Sequence, residues 1–408
     1  MAPNLPYQGI RIVELNADLL SGRLTGLLFA DQGAEVVILN SGEKNGSKLT
    51  DGDEKSEQAV NDFLNRNKIR PASYTNEEEE KLLKGADVII VDGERNIDRA
   101  PHQIVLHVVA ALPGDKLFGH LPHDCDEGLL LALTGFFTDM ALSWFLDRPV
   151  IYTPLKICSI YAGVIGADAT AAALIDRTRN GGKGREIHAS RLAAGLSAIG
   201  ALSLNISGPA LPNHLESVKI SHFRRGISKE EMEEHIKVAT NDSSKQLWLE
   251  QRLFPFGSPY HSKDGTFILP MATFNKRIAR RICEHLGIWD ELQSKSGVVD
   301  ADPYNKENDQ HRFNNLALPM NFSWQVSSAI AEMLSQVFKK KTAIEWEREI
   351  SAAGIPCVRI ESYQDWMALE DTRKAKLSVR VDGCDTGKLK IRCITYITSL
   401  ELFSTFNH

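Results

Sequence analysis

The sequence predicts an open α/β fold with a second, smaller α+β module, and four stretches carry that prediction. Gly9–Leu15 (GIRIVEL) alternates as a strand. After a helical stretch, Glu35–Leu39 (EVVIL) is an unbroken apolar run, the sign of a strand buried in a parallel sheet. Ile157–Gly200 reads as helix, glycine turn, strand and helix, which is ordinary α/β architecture. Tyr260–Pro270 (YHSKDGTFILP) reads as a hairpin around Asp264–Gly265, the strongest short turn signal in the chain.

At 408 residues the chain exceeds the roughly 250–300 at which single hydrophobic cores stop growing, so two domains are expected. Hydrophobic content of 43% with 25% charged residues is that of a soluble globular protein. A net charge of -6, with basic residues scattered rather than striped, argues against nucleic acid as a partner. The six cysteines show no C-x-x-C spacing, so neither a metal ribbon nor a thioredoxin-type site is expected. Cys158, Cys283 and Cys357 sit among apolar neighbours and read as reduced core residues. The N-terminus has no signal pattern, and Leu129–Phe137 is too short to span a bilayer. A cytoplasmic protein without a membrane partner is expected.

Taken in order, the first strand turns Arg11 outward, and a loop holding Ser21–Gly22 leads into a helix from about Arg23 to Gln32. Gly33–Ala34 ends that helix before the second strand. This βαβ opening lacks G-x-G-x-x-G, so the dinucleotide reading is weak. Residues 41–60 are polar and read as loop; Glu77–Leu83 is a charged helix. Ala86–Val91 (ADVIIV) and Ile104–Val109 (IVLHVV) are the third and fourth strands. In the next stretch, the helix Tyr161–Asp176 carries Ala at 162, 167, 169 and 171–173, small enough to let it sit close to a sheet or to a second chain. Gly181, Gly182 and Gly184 turn the chain, Glu186–His188 is a short strand, and Ser190 stands ready to cap a helix starting near Arg191. The acidic run Lys229–His235 suggests a linker helix; Phe274–Leu286, Ile330–Val337 and Thr342–Ala353 are helices of the second module.

The wording of these stretches resembles the family III CoA-transferases. "ALIDRTRNGGKGREIHASRLAAGL" is similar to the family's A-L-x-x-R-x-x-T-G-x-G-Q-x-V-D-V-S-L-x-D-A, and GIRIVEL, NDFLNRNKI, ADVIIV, LLLALTG and Gly354–Glu361 (GIPCVRIE) match further elements in order. The resemblance runs from Gly9 to about Lys376. It implies a Rossmann-like large domain formed by both chain ends, residues 1–205 and 354–408. Residues 206–255 are then a linker, and 256–353 a small α+β domain with its return linker. It also implies an interlocked dimer, acyl-CoA and a small carboxylic acid as substrates, and no metal.

In that family the last Asp of the pattern is the nucleophile. It attacks an acyl-CoA thioester to give an aspartyl anhydride and then an aspartyl-CoA thioester, chemistry that a carboxylate performs and an alanine cannot. Laid over this sequence, the position falls on Ala193. Asp168 and Asp176, on the preceding helix, are poor substitutes because they lie on a different element. Other family features are altered too. The loop before the hairpin reads RLFPFGSPY (252–260) with a single glycine, Ser41 stands where a basic residue meets the CoA phosphates, and Asp92–Gly93 replaces an Asn-Phe. Arg99 is the remaining candidate for a phosphate contact and Glu127 a candidate acyl-site residue, although an ordinary surface arginine and a helix-dipole carboxylate are the readier explanations of the two.

The expectation is therefore a CoA-transferase chain that depends on an Asp-bearing partner subunit or on a fused second copy of the fold. In tandem relatives of the dimethylsulfoniopropionate CoA-transferase/lyase type, the N-terminal half lacks the Asp, and the unfinished C-terminus here suits such a half. The alternative is a non-catalytic CoA-thioester-binding or scaffold protein. An acyl-CoA racemase is a minor alternative: His123–Asp124 suggests it, but that enzyme's Asp falls here on Ile160.

Overall fold

The computed structural model describes residues 5–39, 54–139, 155–199, 226–272, 275–318, 321–362 and 365. They fall into two compact units, one holding the described residues up to 199 and the other those from 226 onward.

The first unit is built on a five-stranded parallel sheet of order β2-β1-β3-β4-β5, comprising β1 (Arg11–Leu15), β2 (Glu35–Leu39), β3 (Val88–Asp92), β4 (Ile104–Val109) and β5 (Glu186–Ser190). Every residue of β3 and β4 is buried, as strands covered on both faces must be. Arg11 points outward as expected and pairs with Glu35 on the neighbouring strand.

Helix α1 (Leu20–Ala30) starts earlier than its sequence suggests, so Ser21 and Gly22 lie in its first turn rather than in a loop. The reason is a distant cap. Leu19 offers no side-chain cap, and its N–H donates instead to Asp92 Oδ2 at 2.7 Å. Helix α2 (Glu54–Asn65) likewise occupies part of the expected loop, with Glu54 and Glu57 suited to the dipole of its first turn. Helix α3 (Asn76–Lys84) is closed by a Thr75–Glu78 capping box. Short helices α4 (Glu127–Leu133) and α5 (Phe136–Asp139) precede α6 (Ile157–Arg179), and α7 (Arg191–Ile199) follows β5 directly.

Helix α6 has the length and hydropathy to cross a bilayer, but here it packs on α1, α7 and β5. Its small residues make that possible. A methyl group added at Gly163 would lie 3.0 Å from Leu24 and from the Ser21 carbonyl, and Thr25 Oγ1 donates to the Gly163 carbonyl at 2.9 Å.

The second unit contains helices α8 (Lys229–Asn241) and α9 (Ser243–Leu253) and the antiparallel sheet β6-β7-β8, with β6 Tyr260–His261, β7 Phe267–Pro270 and β8 Cys357–Ile360. It is completed by helices α10 (Lys276–His285), α11 (Trp289–Ser296), α12 (Trp324–Phe338) and α13 (Ala343–Ala352). Its core gathers Phe256, Tyr260, Phe322, Phe338 and Trp346. Two boundaries differ from expectation. Gly354–Ile360 sits in this unit because β8 pairs with β7. Residues 226–255 are not a bare linker, since α9 packs on α12 and the rings of His235, Trp248 and Trp324 form one cluster.

Candidate functional site

The β5–α7 junction forms the candidate site. Ser190 ends β5 buried, donating its hydroxyl hydrogen to the Ala110 carbonyl (3.2 Å) and accepting the Ala193 N–H (3.1 Å), the helix cap read from the sequence. Ala193, in the first turn of α7, is exposed. Two residues away the environment changes sharply. Arg191 is 3% exposed and Glu127 8%, and the two form a buried ion pair at 3.3 Å. Arg191 Nε donates to Ser159 Oγ (3.2 Å), and Nη1 donates to the carbonyls of His123 (3.2 Å) and Cys125 (2.8 Å). Glu127 accepts the Ser159 hydroxyl at 2.6 Å and its backbone N–H at 3.2 Å. The guanidinium therefore fastens α4, α6 and the 123–127 turn to the head of α7. Both charges are paired and hydrogen-bonded, the condition under which burying them is tolerable. Beside them, burial and the Glu127 charge push the Cys158 thiol up to about 12, which leaves it inert.

The candidate residues are thus divided. Glu127 lies close to Ala193 in the chain of contacts, through Arg191, but its oxygens are committed to Ser159 and Arg191. Arg99 is elsewhere: it pairs with Glu186 at 3.4 Å and donates to the Gln103 carbonyl, at the start of β5 rather than at the end bearing Ser190. Asp168 is exposed on α6, and Asp176 is paired with Arg185. Ile160 is 44% exposed on α6, and the His123 ring lies against Gly93, where an added methyl would come within 2.9 Å. Ser41 lies outside the described residues. In the second unit, the 252–260 loop is tied down by Tyr260 Oη donating to the Pro255 carbonyl (2.6 Å) and by the Gly257 N–H donating to the Phe254 carbonyl (3.0 Å).

Two buried features went unread in the sequence. At the end of β3, Asp92 is 3% exposed, and burial raises its carboxyl to about 7. Beneath α1, Glu14 and Lys68 form an ion pair at 2.6 Å whose side chains are 1% and 0% exposed, and Lys68 also donates to the Arg23 carbonyl. Burial raises the Glu14 carboxyl and lowers the Lys68 ammonium, each opposed by the other's charge. The signal for Asp92 was present: it stands where the family pattern has an asparagine.

Comparison with known proteins agrees with this architecture. The curated CoA-transferase/lyase DddD of Marinomonas sp. (strain MWYL1) is 23% identical over 407 residues, 95% of this chain but 45% of that protein, so the chain spans about half its length. Among solved structures, the hypothetical protein Rv3272 from Mycobacterium tuberculosis superposes with a TM-score of 0.60 at 16% identity, covering 96% of this chain and 92% of that one. A CAIB/BAIF family protein from Brucella suis gives 0.58 at 17% identity, covering 92% and 89%. These two likenesses speak to the mixed α/β fold with its parallel sheet. The family model of CoA-transferase family III matches residues 127–402, and the chain belongs to that family.

Proposed function

We propose that the chain takes part in CoA transfer between carboxylic acids but does not supply the nucleophile, and that it works with an Asp-bearing homologous subunit or with a second domain of the same fold. The observation that carries this reading is Ala193. The position that resemblance gives to the attacking carboxylate is exposed in the first turn of α7, and it bears a methyl group. A methyl forms no acyl link, so neither the anhydride nor the aspartyl-CoA thioester can arise on it. A relative about twice as long, described as a CoA-transferase/lyase, supports pairing with a second half. Apolar side chains exposed on α4, α6 and α7, among them Leu129, Leu133, Tyr161, Val164 and Leu196, offer a surface for a homodimer contact or for such a partner. Acyl-CoA as substrate is consistent with a cytoplasmic location.

The test is transfer of CoA from acetyl-CoA or succinyl-CoA to a panel of carboxylic acids. The assay compares the chain alone, an Asp-bearing homologue alone, and the two mixed. The chain alone should be silent and give no hydroxylamine-trapped acyl species, and the mixture should exceed the homologue. An acyl-enzyme on the isolated chain would overturn the reading and return attention to Asp168 and Asp176. The scaffold reading draws on a different observation: Arg99, Arg191 and Lys68 are all engaged by carboxylates within the chain.

A further inference from the structure

In a parallel sheet of order 2-1-3-4-5 the strand connections diverge between β1 and β3. Ligands of such folds lie in the crevice beyond the carboxyl ends of those two strands, with anionic groups at the helix N-terminus that follows β1. Here that helix is α1, and a side chain of the chain itself already lies at its head. Asp92, the last residue of β3, accepts the Leu19 N–H at 2.7 Å through Oδ2, and the Asp18 N–H also binds this carboxylate. Its other oxygen, Oδ1, is buried and has no hydrogen-bond partner among the described residues. It lies over the first turn of α1, where a methyl group added at Gly22 would be 3.1 Å from it and 3.2 Å from Ala17 Cβ. The described cations nearby are spent as well: Arg23 on Asp18 and Asn61, Lys68 on Glu14, Arg191 on Glu127.

We propose that this crevice is filled from within: the Asp92 carboxylate occupies the place that the oxygens of a diphosphate-bearing ligand would take at the head of α1, and it keeps such a ligand out. A carboxylate satisfies the amides and the positive end of the helix dipole as a phosphate oxygen does. When ionised, as it is above about pH 7, it also repels a second anion across a distance at which water screens poorly. The inference rests on the proposed function and deepens it, since it assigns the diphosphate of CoA to the Asp-bearing partner.

The experiment measures binding of inorganic pyrophosphate and of CoA by calorimetry to the full chain, to Asp92→Asn and to Asp92→Ser, with circular dichroism confirming that each is folded. The wild type should show no binding at millimolar ligand, and at least one folded variant should gain affinity by tenfold or more. Two results overturn the proposal. One is wild-type binding that the substitutions leave unchanged or weaken. The other is no binding by any of the three, since Asp92 would then not be what excludes the ligand. Neither result bears on whether mixing with an Asp-bearing homologue produces CoA transfer, so the two readings fail separately.

Discussion

Ala193 and Arg191, two residues apart, show how far neighbouring side chains can diverge in what surrounds them. Ala193 is exposed, so Ala193→Asp should fold as the wild type does. It should nonetheless restore little transfer, because Arg191 at the head of α7 is committed to Glu127 and is not free to stabilise an oxyanion. Missing oxyanion donors cost about 10²–10³ in rate. Turnover within tenfold of an Asp-bearing homologue would show that only the nucleophile had been lost. Asp92 makes a second residue-scale prediction. Its carboxyl rises from an ordinary 3.8 to about 7 on folding, so the folded chain holds this proton more tightly than the unfolded chain does. The associated stability is complete below 3.8 and is lost as pH rises through about 7. Asp92→Asn removes that titration. In urea melts, the difference between variant and wild type should therefore move in the variant's favour between pH 5 and pH 8. A difference that does not change with pH would contradict the assignment.

At the scale of elements, legibility depended on whether the cause of a boundary was local. Glu35–Leu39 and Ile104–Val109 have the predicted bounds because unbroken apolar runs are sufficient to specify a doubly buried strand. The start of α1 was missed because its cap comes from Asp92, 73 positions away in sequence, which no window along the chain can reveal. The Arg191–Glu127 pair was hidden for the same reason, its two halves being 64 positions apart. The closeness of α6 to its neighbours was readable from its alanines and glycines, and it extends to α7. A methyl group at Gly195 would lie 2.5 Å from Cys158 Sγ. Gly195→Ala should therefore push α7 off α6 and cost about 1–3 kcal/mol, the usual penalty of overpacking. Adding Cys158→Ala should recover much of it, since the sulfur is the nearest obstacle. Denaturant titration of the two single variants and the double variant tests this, and strict additivity would mean that the contact is not responsible.

For the whole molecule, the question is what covers the apolar residues of the first unit. Leu129 and Leu133 on α4, Ile160, Tyr161, Val164 and Ile165 on α6, and Leu196 on α7 are all more than a third exposed. Scattered singly they would need no explanation, but they come from three helices that touch one another. The chain should therefore be a dimer, or pair with an Asp-bearing homologue, and should not persist as a monomer. Sedimentation at low micromolar concentration tests this directly. A single folded species at the 45.3 kDa chain mass would rule out an obligate partner.

The buried thiols give each unit its own reporter of opening. Cys158 lies in the α6–α7 contact of the first unit, and Cys283 and Cys357 lie in the core of the second; burial pushes all three up to about 12. A thiol of that kind is closed to alkylating reagents until its surroundings part, because the thiolate is the reactive form and here it is both scarce and enclosed. The rate at which each cysteine is labelled in the native protein, read peptide by peptide by mass spectrometry, then measures how often its own unit breathes. If the two units open independently, Cys283 and Cys357 should react together and Cys158 on a different clock. A partner that covers α6 should slow only the latter.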